Sequence, residues 1–230
     1  MLKLEREAQL LEVARELILE EGMVSFSFVE IAKRAGISRA TLYKHFSGKE
    51  DVLVGLFIKD ANSTRDMMVD IQNDPVLNDR EKLITALLTP VSIAMGQRNL
   101  LGITFLSANP GIYSYATESR RQDLEQLMAL LRQVSMQFWF APIASGTLKA
   151  SKEQVLPVMA SVYPYQRGCV MITQNVMSFD NQIGRSLKEV FDNLVSSTEE
   201  IGWIEEHHAV SYEKILKSVG KYERESMIAC

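Results

Sequence analysis

The stretch SFVEIAKRAGISRATLYKHFSGKEDVL, residues 27–53, decides the fold class and the organisation of the chain. It contains five basic residues and no acidic residue between Glu30 and Glu50, although the whole chain has a net charge of −4. Gly36 divides it into two short segments whose apolar residues repeat with helical spacing. Two short helices joined through a glycine turn predict a helix-turn-helix, the motif whose second helix enters the major groove of DNA.

The first two helices are delimited by a turn glycine and a capping pair. Apolar spacing predicts a first helix that stops near Glu21, because Gly22 follows where a left-handed residue is expected. Ser27 with Glu30 has the spacing of a capping box, in which each side chain satisfies a backbone amide of the other. The second helix is therefore predicted to start there and to run through Ala35.

The third helix is short and the fourth is long. Gly36 suits the positive φ of a tight turn, and Ser38 is a suitable cap for a helix of two turns over residues 39–46. Ser47 with Glu50 predicts another capping box, which opens the fourth helix.

The third helix has an apolar edge and a polar face. Leu42 and Phe46 share the edge at a spacing of four residues and hold the crossed helices together. On the other side, Arg39 suits a bidentate contact to guanine, and Ala40 with the Thr41 methyl group suits thymine methyl groups. The residues better suited to phosphate oxygens are Tyr43, Lys44, His45 and Lys49. The predicted DNA-binding set is Ser38, Arg39, Ala40, Thr41, Tyr43, Lys44, His45 and Lys49.

The string IAKRAGISRATLYKHFSGKEDVL resembles the TetR family of bacterial transcriptional repressors. The family pattern is matched by Ile31-Ala32, by AGIS at 35–38, by LYKHF at 42–46 and by Lys49-Glu50. The resemblance implies base contacts from Arg39, Ala40, Thr41 and Tyr43, and phosphate contacts from Lys44, His45 and Lys49. One departure concerns Phe28 and Val29, which are apolar where many relatives offer polar residues to DNA. Base reading by the second helix is therefore not expected.

Charge divides the chain into two parts. Residues 1–50 balance eight basic against eight acidic residues, so the net charge of −4 belongs to residues 51–230. A local basic stripe on a neutral module is attracted to phosphates, while an acidic body faces away from them. We predict a DNA-binding domain at 1–50 and a helical effector-binding and dimerisation domain at 51–230.

The rest of the chain is predicted to be helical as well. Hydrophobic residues make up 47% of the sequence, enough for a substantial core, and strand-like alternation is scarce, so the fold class is all-α. The predicted helices run from the capping pair to Met68, Asp79 to Gly96, 98 to 107, Pro110 to about Phe140, Lys152 to Met177 and Ile183 to His207, with Pro142 and Gly146 in a loop and a last amphipathic turn or two at 209–219.

The resemblance implies a homodimer that binds a two-fold symmetric double-stranded DNA operator and is released by a small-molecule effector of unknown identity. Aromatic residues and one arginine provide candidates for a mostly apolar effector pocket, although aromatic residues also fill ordinary helical cores, and both interpretations stay open. The candidate pocket residues are Phe105, Tyr113, Phe138, Trp139, Tyr163 and Arg167.

Several other classes of protein are not supported by the sequence. No run of eighteen apolar residues and no signal peptide is present, so a cytoplasmic protein without membrane association is expected. No phosphate-binding loop, nucleophile elbow or HExxH motif appears, so neither an enzyme, a metal site nor a cofactor is expected. The remaining alternative is an architectural or adaptor DNA-binding protein of the same fold, with a protein partner and no small ligand.

Overall fold

A computed structural model describes residues 2–96, 110–173 and 186–229, which form eleven α-helices. Across these ranges, the only β-type pairing is an isolated antiparallel bridge between Leu148 and Trp203. The all-α prediction is confirmed. In chain order the helices are α1 (Leu2–Glu21), α2 (Phe28–Arg34), α3 (Arg39–His45), α4 (Lys49–Gln72), α5 (Asp79–Gly96), α6 (Pro110–Tyr113), α7 (Glu118–Ser145), α8 (Lys152–Thr173), α9 (Leu187–Ser197), α10 (Glu205–His208) and α11 (Tyr212–Ala229).

Several predicted boundaries are confirmed. Helix α1 ends at Glu21, and Gly22 follows with φ +85°, its amide donating to the Ile18 carbonyl oxygen at 2.9 Å. Helix α5 spans Asp79–Gly96 as predicted. The short helix predicted at 98–107 lies outside the described residues. No helix in the described part of the chain is long and apolar enough to cross a membrane.

The two predicted capping boxes are wrong in their side-chain pairing. Ser27 is the N-cap residue of α2, but its side chain accepts no capping hydrogen bond, and Glu30 accepts a bond from Lys33 Nζ instead. Before α4, the Ser47 amide donates to Asp51 Oδ2 at 3.0 Å. The fully buried Asp51 carboxylate accepts the hydrogen bond that was expected at Glu50. Water cannot reach a buried carboxylate, so that carboxylate must accept its hydrogen bonds from the protein.

The single long helix predicted from Pro110 is divided in two. Helix α6 makes one turn, and α7 begins only at Glu118. Between them, the Thr117 amide donates to Asp51 Oδ1 at 3.0 Å, a bond to another helix rather than to a continuing α6. Pro142, predicted to lie in a loop, is inside α7, which ends at Ser145.

The helix predicted from Ile183 to His207 is interrupted, and its first residues are not among those described. Helix α9 stops at Ser197, and Gly202 in the following loop has φ +97°. A Cβ atom there would lie 2.6 Å from the Lys149 carbonyl oxygen, while the Lys149 amide donates to the Gly202 carbonyl oxygen at 2.8 Å. Positive φ and this close backbone approach both require glycine, which ends the helical path.

The C-terminal helix is longer than predicted. Instead of one or two turns within 209–219, α11 runs over Tyr212–Ala229. Ile215, Val219 and Tyr222 are buried at spacings of four and three residues, so one face of α11 joins the core.

The described chain divides into two compact units. The first unit contains residues 2–62 and 110–129, and the second contains 63–96, 130–173 and 186–229. These units are defined by packing, so they differ from the predicted division after residue 50, which concerns function and stays a prediction.

The core of the first unit joins α1 to the helix-turn-helix. Leu10, Ala14 and Leu17 of α1 are fully buried and belong to the same cluster as Ile31 of α2 and Leu42 of α3. Their spacing of three and four residues along α1 is the pattern that predicted this helix. The cluster therefore supports α2 and α3 from one side and leaves their other side to solvent.

Helix α5 is the centre of the second unit. It packs against α8, α9, α10 and α11, and its buried residues include Leu83, Ile84 and Leu88. Phe138 and Trp139 of α7 belong to the same cluster. Buried positions lie on nearly all sides of α5, so its apolar residues face several neighbouring helices and its buried polar residues, Arg80 and Thr89 among them, need partners within the protein.

A buried arginine connects the start of α5 to α9 and α10. Arg80 is 1% exposed, and its guanidinium donates to the carbonyl oxygens of Val195 at 2.7 Å and His208 at 2.6 Å. These acceptors lie near the ends of α9 and α10, and the Val195 oxygen also accepts the Thr198 amide at 3.1 Å. Burial lowers the pKa of Arg80 against the opposing charge of Glu199, yet an arginine remains protonated at neutral pH.

Replacing Arg80 by methionine should therefore destabilise the second unit. Arg80→Met keeps much of the side-chain volume but removes both charged hydrogen bonds from α5 to α9 and α10, which should lower the free energy of unfolding by about 2–4 kcal/mol. Urea denaturation followed by circular dichroism measures the loss. The matched control is Arg132→Met at an exposed position of α7, where a change within about 0.5 kcal/mol is expected. Equal stabilities of the two variants would contradict the role given to Arg80.

Candidate nucleic-acid interface

The turn between α2 and α3 has the backbone geometry that the glycine predicted. Gly36 has φ +63°, and the Ile37 amide donates to the Ala32 carbonyl oxygen at 2.9 Å. A residue other than glycine is strained at this φ, so the turn depends on Gly36. Ser38 then caps α3, its side-chain oxygen accepting the Thr41 amide at 3.1 Å, as predicted.

Helix α3 is anchored by one edge and exposed on the other. Leu42 and the following Phe46 are 0% and 1% exposed, whereas Arg39, Ala40 and Lys44 are exposed. Because the anchoring residues lie in a core shared with α1 and α4, the outward face of α3 is held on a packed support.

Tyr43 is oriented by a contact that the sequence did not predict. Its ring meets the Phe28 ring edge-on with centroids 5.2 Å apart, while the side chain as a whole stays 57% exposed. Such aromatic pairs add roughly 0.5–1.5 kcal/mol beyond the area they bury. The apolar Phe28, a departure from the family pattern, therefore supports Tyr43 from α2 instead of offering a polar group.

Three of the five basic residues in the stretch are engaged within the protein. Lys33 Nζ bonds to Glu30, and the Arg34 guanidinium bonds to both Glu20 carboxylate oxygens at 2.9 and 2.5 Å. The Arg34 bond holds the pKa of Glu20 below its ordinary value. The basic stripe is therefore partly neutralised by neighbouring acids.

Lys49 is the third engaged residue. Its ammonium donates to the carbonyl oxygens of Val24 at 2.6 Å and Phe26 at 3.0 Å and lies 4.3 Å from the centre of the Phe26 ring. Arg39 and Lys44, by contrast, form no ion pair with any residue that the structure describes. These two cations are the ones most available to an external anion.

His45 closes α3 in a half-buried position. Its Nδ1 atom is buried and has no hydrogen-bond partner among the described residues, and its carbonyl oxygen accepts a bond from Arg120 at 3.4 Å. The predicted phosphate contacts of His45 and Lys49 stay predictions.

Two residues of this unit were missed by sequence reasoning. Asp51, at the start of α4, is fully buried, and Arg120 of α7 donates to its Oδ1 atom at 3.0 Å. The available signal was a charged residue directly before the apolar run at 52–58. Its partner lies 69 residues away in sequence, a distance at which helical periodicity carries no information about pairing.

The candidate effector residues that the structure describes belong to both units. Tyr113 belongs to the first unit, where its ring lies 6.2 Å from that of Phe57. Phe138 and Trp139 are buried in the core of the second unit, whereas Tyr163 is 62% exposed. Arg167 is half-buried on α8, and Phe105 lies outside the described residues.

The second unit also carries an open surface groove of about 350 Å³ beside α8 and the end of α9. Its lining is mixed polar and apolar and includes Gln154, Val158 and Glu200. None of the candidate effector residues lines it, so this groove gives no support to their assignment.

Helix α2, the glycine turn at Gly36 and the capped two-turn helix α3 together form a helix-turn-helix. Residues 10–56 match the family model described as bacterial regulatory proteins, tetR family. The chain is 32% identical over 99 residues to the fatty acid metabolism regulator protein of Bacillus subtilis, a match covering 43% of this chain and 50% of that protein. It is 33% identical over 79 residues to the transcriptional regulator EthR of Mycobacterium tuberculosis, covering 34% and 37%. The chain thus spans half or less of the length of these curated relatives.

Solved structures extend the similarity over most of the chain. The regulator FadR from Bacillus subtilis, in complex with stearoyl-CoA, has a TM-score of 0.58 at 22% identity and covers 83% of this chain and 98% of that chain. A TetR/AcrR-family regulator from Thermobifida fusca has a TM-score of 0.57 at 19% identity and covers 83% and 94%. At these identities the similarity establishes the fold. The similarity to the tetR family is shown by sequence for residues 10–56 and by fold for most of the chain.

Lys44 and Lys49 should respond differently to replacement by alanine. Lys44→Ala removes an exposed cation from each subunit, so the slope of log affinity for DNA against log salt concentration should fall by about 0.9 per bound subunit, with thermal stability unchanged. Lys49→Ala removes two bonds to carbonyl oxygens and should lower the free energy of unfolding by about 1–2 kcal/mol. Salt-dependent DNA titration and thermal denaturation of both variants measure the two effects. A stable Lys49→Ala protein with a reduced salt slope would reverse the assignment.

Proposed function

We propose that the protein is a transcriptional regulator that binds a two-fold symmetric operator as a homodimer and is released by a small-molecule effector. The observation that carries this proposal is the outward face of α3. There Arg39 and Lys44 have no acid partner among the described residues, while Leu42 and Phe46 anchor the helix. A rigidly held helix with available cations is suited to the major groove and its flanking phosphates.

The proposed contacts follow the geometry of the exposed face. Arg39 reads guanine through a bidentate contact, and Ala40 with the Thr41 methyl group meets thymine methyl groups. Lys44 neutralises phosphate, and Tyr43, supported by Phe28, lies against a base or the backbone. Residues 1–50 act as the DNA-binding part, residues 51–230 as the effector-binding and dimerisation part, and the protein acts in the cytoplasm as a regulator and not as an enzyme.

Helix α8 is the proposed source of the apolar dimer surface. Leu156 and Tyr163 are 48% and 62% exposed and stand seven residues apart, which puts them on one side of the helix. The exposed side of α9 is polar, since Lys188 and Asp192 form an ion pair at 2.5 Å there. A stable dimer interface needs buried apolar anchors, so α8 supplies the core of the dimer interface and α9 supplies its rim.

The proposed effector mechanism is a shift in population between two spacings of the recognition helices. A ligand that binds more tightly to the spacing that misfits the operator releases the DNA by that difference in affinity. The FadR structure contains stearoyl-CoA, and the relative from Bacillus subtilis is named a fatty acid metabolism regulator. We therefore put long-chain acyl-CoA thioesters first among the effectors to be tested on this chain.

The test of DNA binding is a titration against labelled DNA from immediately upstream of the protein's own gene, with excess unrelated DNA. Specific binding should survive the competitor and weaken with salt, because phosphate contacts release counterions. Addition of acyl-CoA to the same complex should raise the dissociation constant. Binding that the competitor abolishes at both low and high salt would remove this fragment as an operator and favour an architectural role.

The dimer surface is tested by Tyr163→Asp. A charge at an aromatic anchor should weaken the dimer by roughly 2 kcal/mol or more, about a thirtyfold change in the dimer dissociation constant. Analytical ultracentrifugation measures the constant. Ser161→Asp is the matched control, because Ser161 is also exposed on α8 but lies on a different side of the helix. A wild-type dimer dissociation constant for Tyr163→Asp would exclude this side of α8 as the dimer interface.

A further inference from the structure

Arg120 has contacts that reach three other helices of the first unit. Its Nε atom donates to Asp51 Oδ1 at 3.0 Å, one terminal nitrogen donates to Glu7 Oε1 at 3.0 Å, and the other donates to the His45 carbonyl oxygen at 3.4 Å. The guanidinium also lies 5.0 Å from the centre of the Phe46 ring. One side chain of α7 thus connects α1, the end of α3 and the start of α4.

The contact at His45 acts on the recognition helix itself. The last carbonyl oxygens of a helix have no amide partner within the helix, and a cation is favourable at that end. Helix α3 spans only Arg39–His45, so a bond to its last residue acts on a large part of its length. The ring of Phe46, which anchors α3 in the core, lies against the same guanidinium. Arg120 therefore restrains both the backbone and the anchor of α3.

Asp51 keeps the guanidinium in this position. Its carboxylate is fully buried and accepts bonds from Arg120, from the Thr117 amide at 3.0 Å and from the Ser47 amide at 3.0 Å. A buried carboxylate without its cation is costly, so the pair holds its geometry. Ser47 directly follows Phe46, so its bond to Asp51 also holds the connection between α3 and α4.

Gly55 provides the space that Arg120 occupies. A Cβ atom at this position of α4 would lie 3.0 Å from a terminal nitrogen of Arg120 and 3.0 Å from Leu11 Cδ2. Gly55 lies inside a helix, where glycine is less favourable than alanine by roughly 1 kcal/mol. The close approach of the guanidinium gives a physical reason for glycine here.

We propose that Arg120 is a positioning residue for DNA recognition, which fixes the orientation of α3 without touching DNA. This inference rests on the proposed function, because it assigns the operator-reading role to α3. An arginine is required, since its planar fork serves three acceptors in three directions, whereas the single ammonium of lysine does not. Specific recognition therefore depends on a residue far outside the helix-turn-helix sequence.

The test is Arg120→Lys in the full chain, titrated with operator DNA well below the thermal transition. If the substitution leaves α3 correctly oriented in only about a tenth of the Arg120→Lys molecules, the dissociation constant for operator DNA should rise about tenfold for each half-site bound. The salt slope should stay at the wild-type value, because the charge is kept and no phosphate contact is lost. Arg121→Gln is the matched control. Arg121 is the next residue of α7 and bonds to Glu118 and to the Ser114 carbonyl oxygen, so wild-type affinity is expected.

Hydrogen exchange gives a second readout that does not need DNA. The amides of Leu42 and Phe46, bonded to carbonyl oxygens at 3.1 and 3.0 Å, should exchange about tenfold faster in Arg120→Lys. Exchange in the middle of α1 should stay near the wild-type rate. A general loss of stability would accelerate exchange in α1 and α3 alike, and that result would overturn a specific positioning role.

The outcomes separate this inference from the proposed function. A folded Arg120→Lys protein with wild-type affinity would overturn the inference and leave the function intact. If that variant does not fold, Gly55→Ala decides, because its Cβ crowds the same guanidinium at 3.0 Å from a terminal nitrogen. Weaker operator binding with faster exchange in α3 supports the inference, and wild-type behaviour overturns it. If the wild-type protein binds no operator, the proposed function fails, and hydrogen exchange alone decides whether Arg120 holds α3.

Discussion

The first unit depends on one buried ion pair, formed by Asp51 and Arg120. A carboxylate that water does not reach must find all its donors within the protein, and Asp51 finds them before α4, before α7 and on α7 itself. In the break between α6 and α7, the Thr117 amide bonds to Asp51 rather than to a preceding carbonyl oxygen. The same pair brings Arg120 to the end of α3. A single desolvated charge is thus bonded at the break between α6 and α7 and to the arginine that contacts the end of α3.

The charges around the helix-turn-helix have two different uses. Contacts within the protein engage Lys33, Arg34 and Lys49. In the described ranges, no acidic residue forms an ion pair with Arg39 or Lys44. Counting basic residues therefore overstates the charge available to a phosphate backbone. A small number of available cations on a firmly packed helix favours recognition by shape and base contact, with a modest electrostatic share.

The second unit follows the same rule with different groups. Arg80 has no carboxylate bonded to it in the described structure and uses carbonyl oxygens at the ends of α9 and α10 as acceptors. This ties α5, the central helix, to the segments that follow the predicted dimer helix α8. Of the aromatic residues predicted for an effector pocket, Phe138 and Trp139 are buried in the core and Tyr163 is exposed, and their assignment to a pocket stays a prediction. Residue type alone did not separate these roles, because aromatic residues suit cores, pockets and interfaces equally well.

The sequence by itself determined the all-α class, the ends of α1 and α5, the glycine turn and the division of α3 into a buried edge and an outward face. These features depend on periodicity, on glycine at positive φ and on caps within a few residues, all of which are local properties. The tertiary structure decided the breaks before α7 and after α9, the partner of Asp51 and the engagement of Lys49. Each of these depends on groups brought together from distant parts of the chain, where burial removes water and forces a polar atom to find a partner. Such pairings are set by packing, and no local pattern records them.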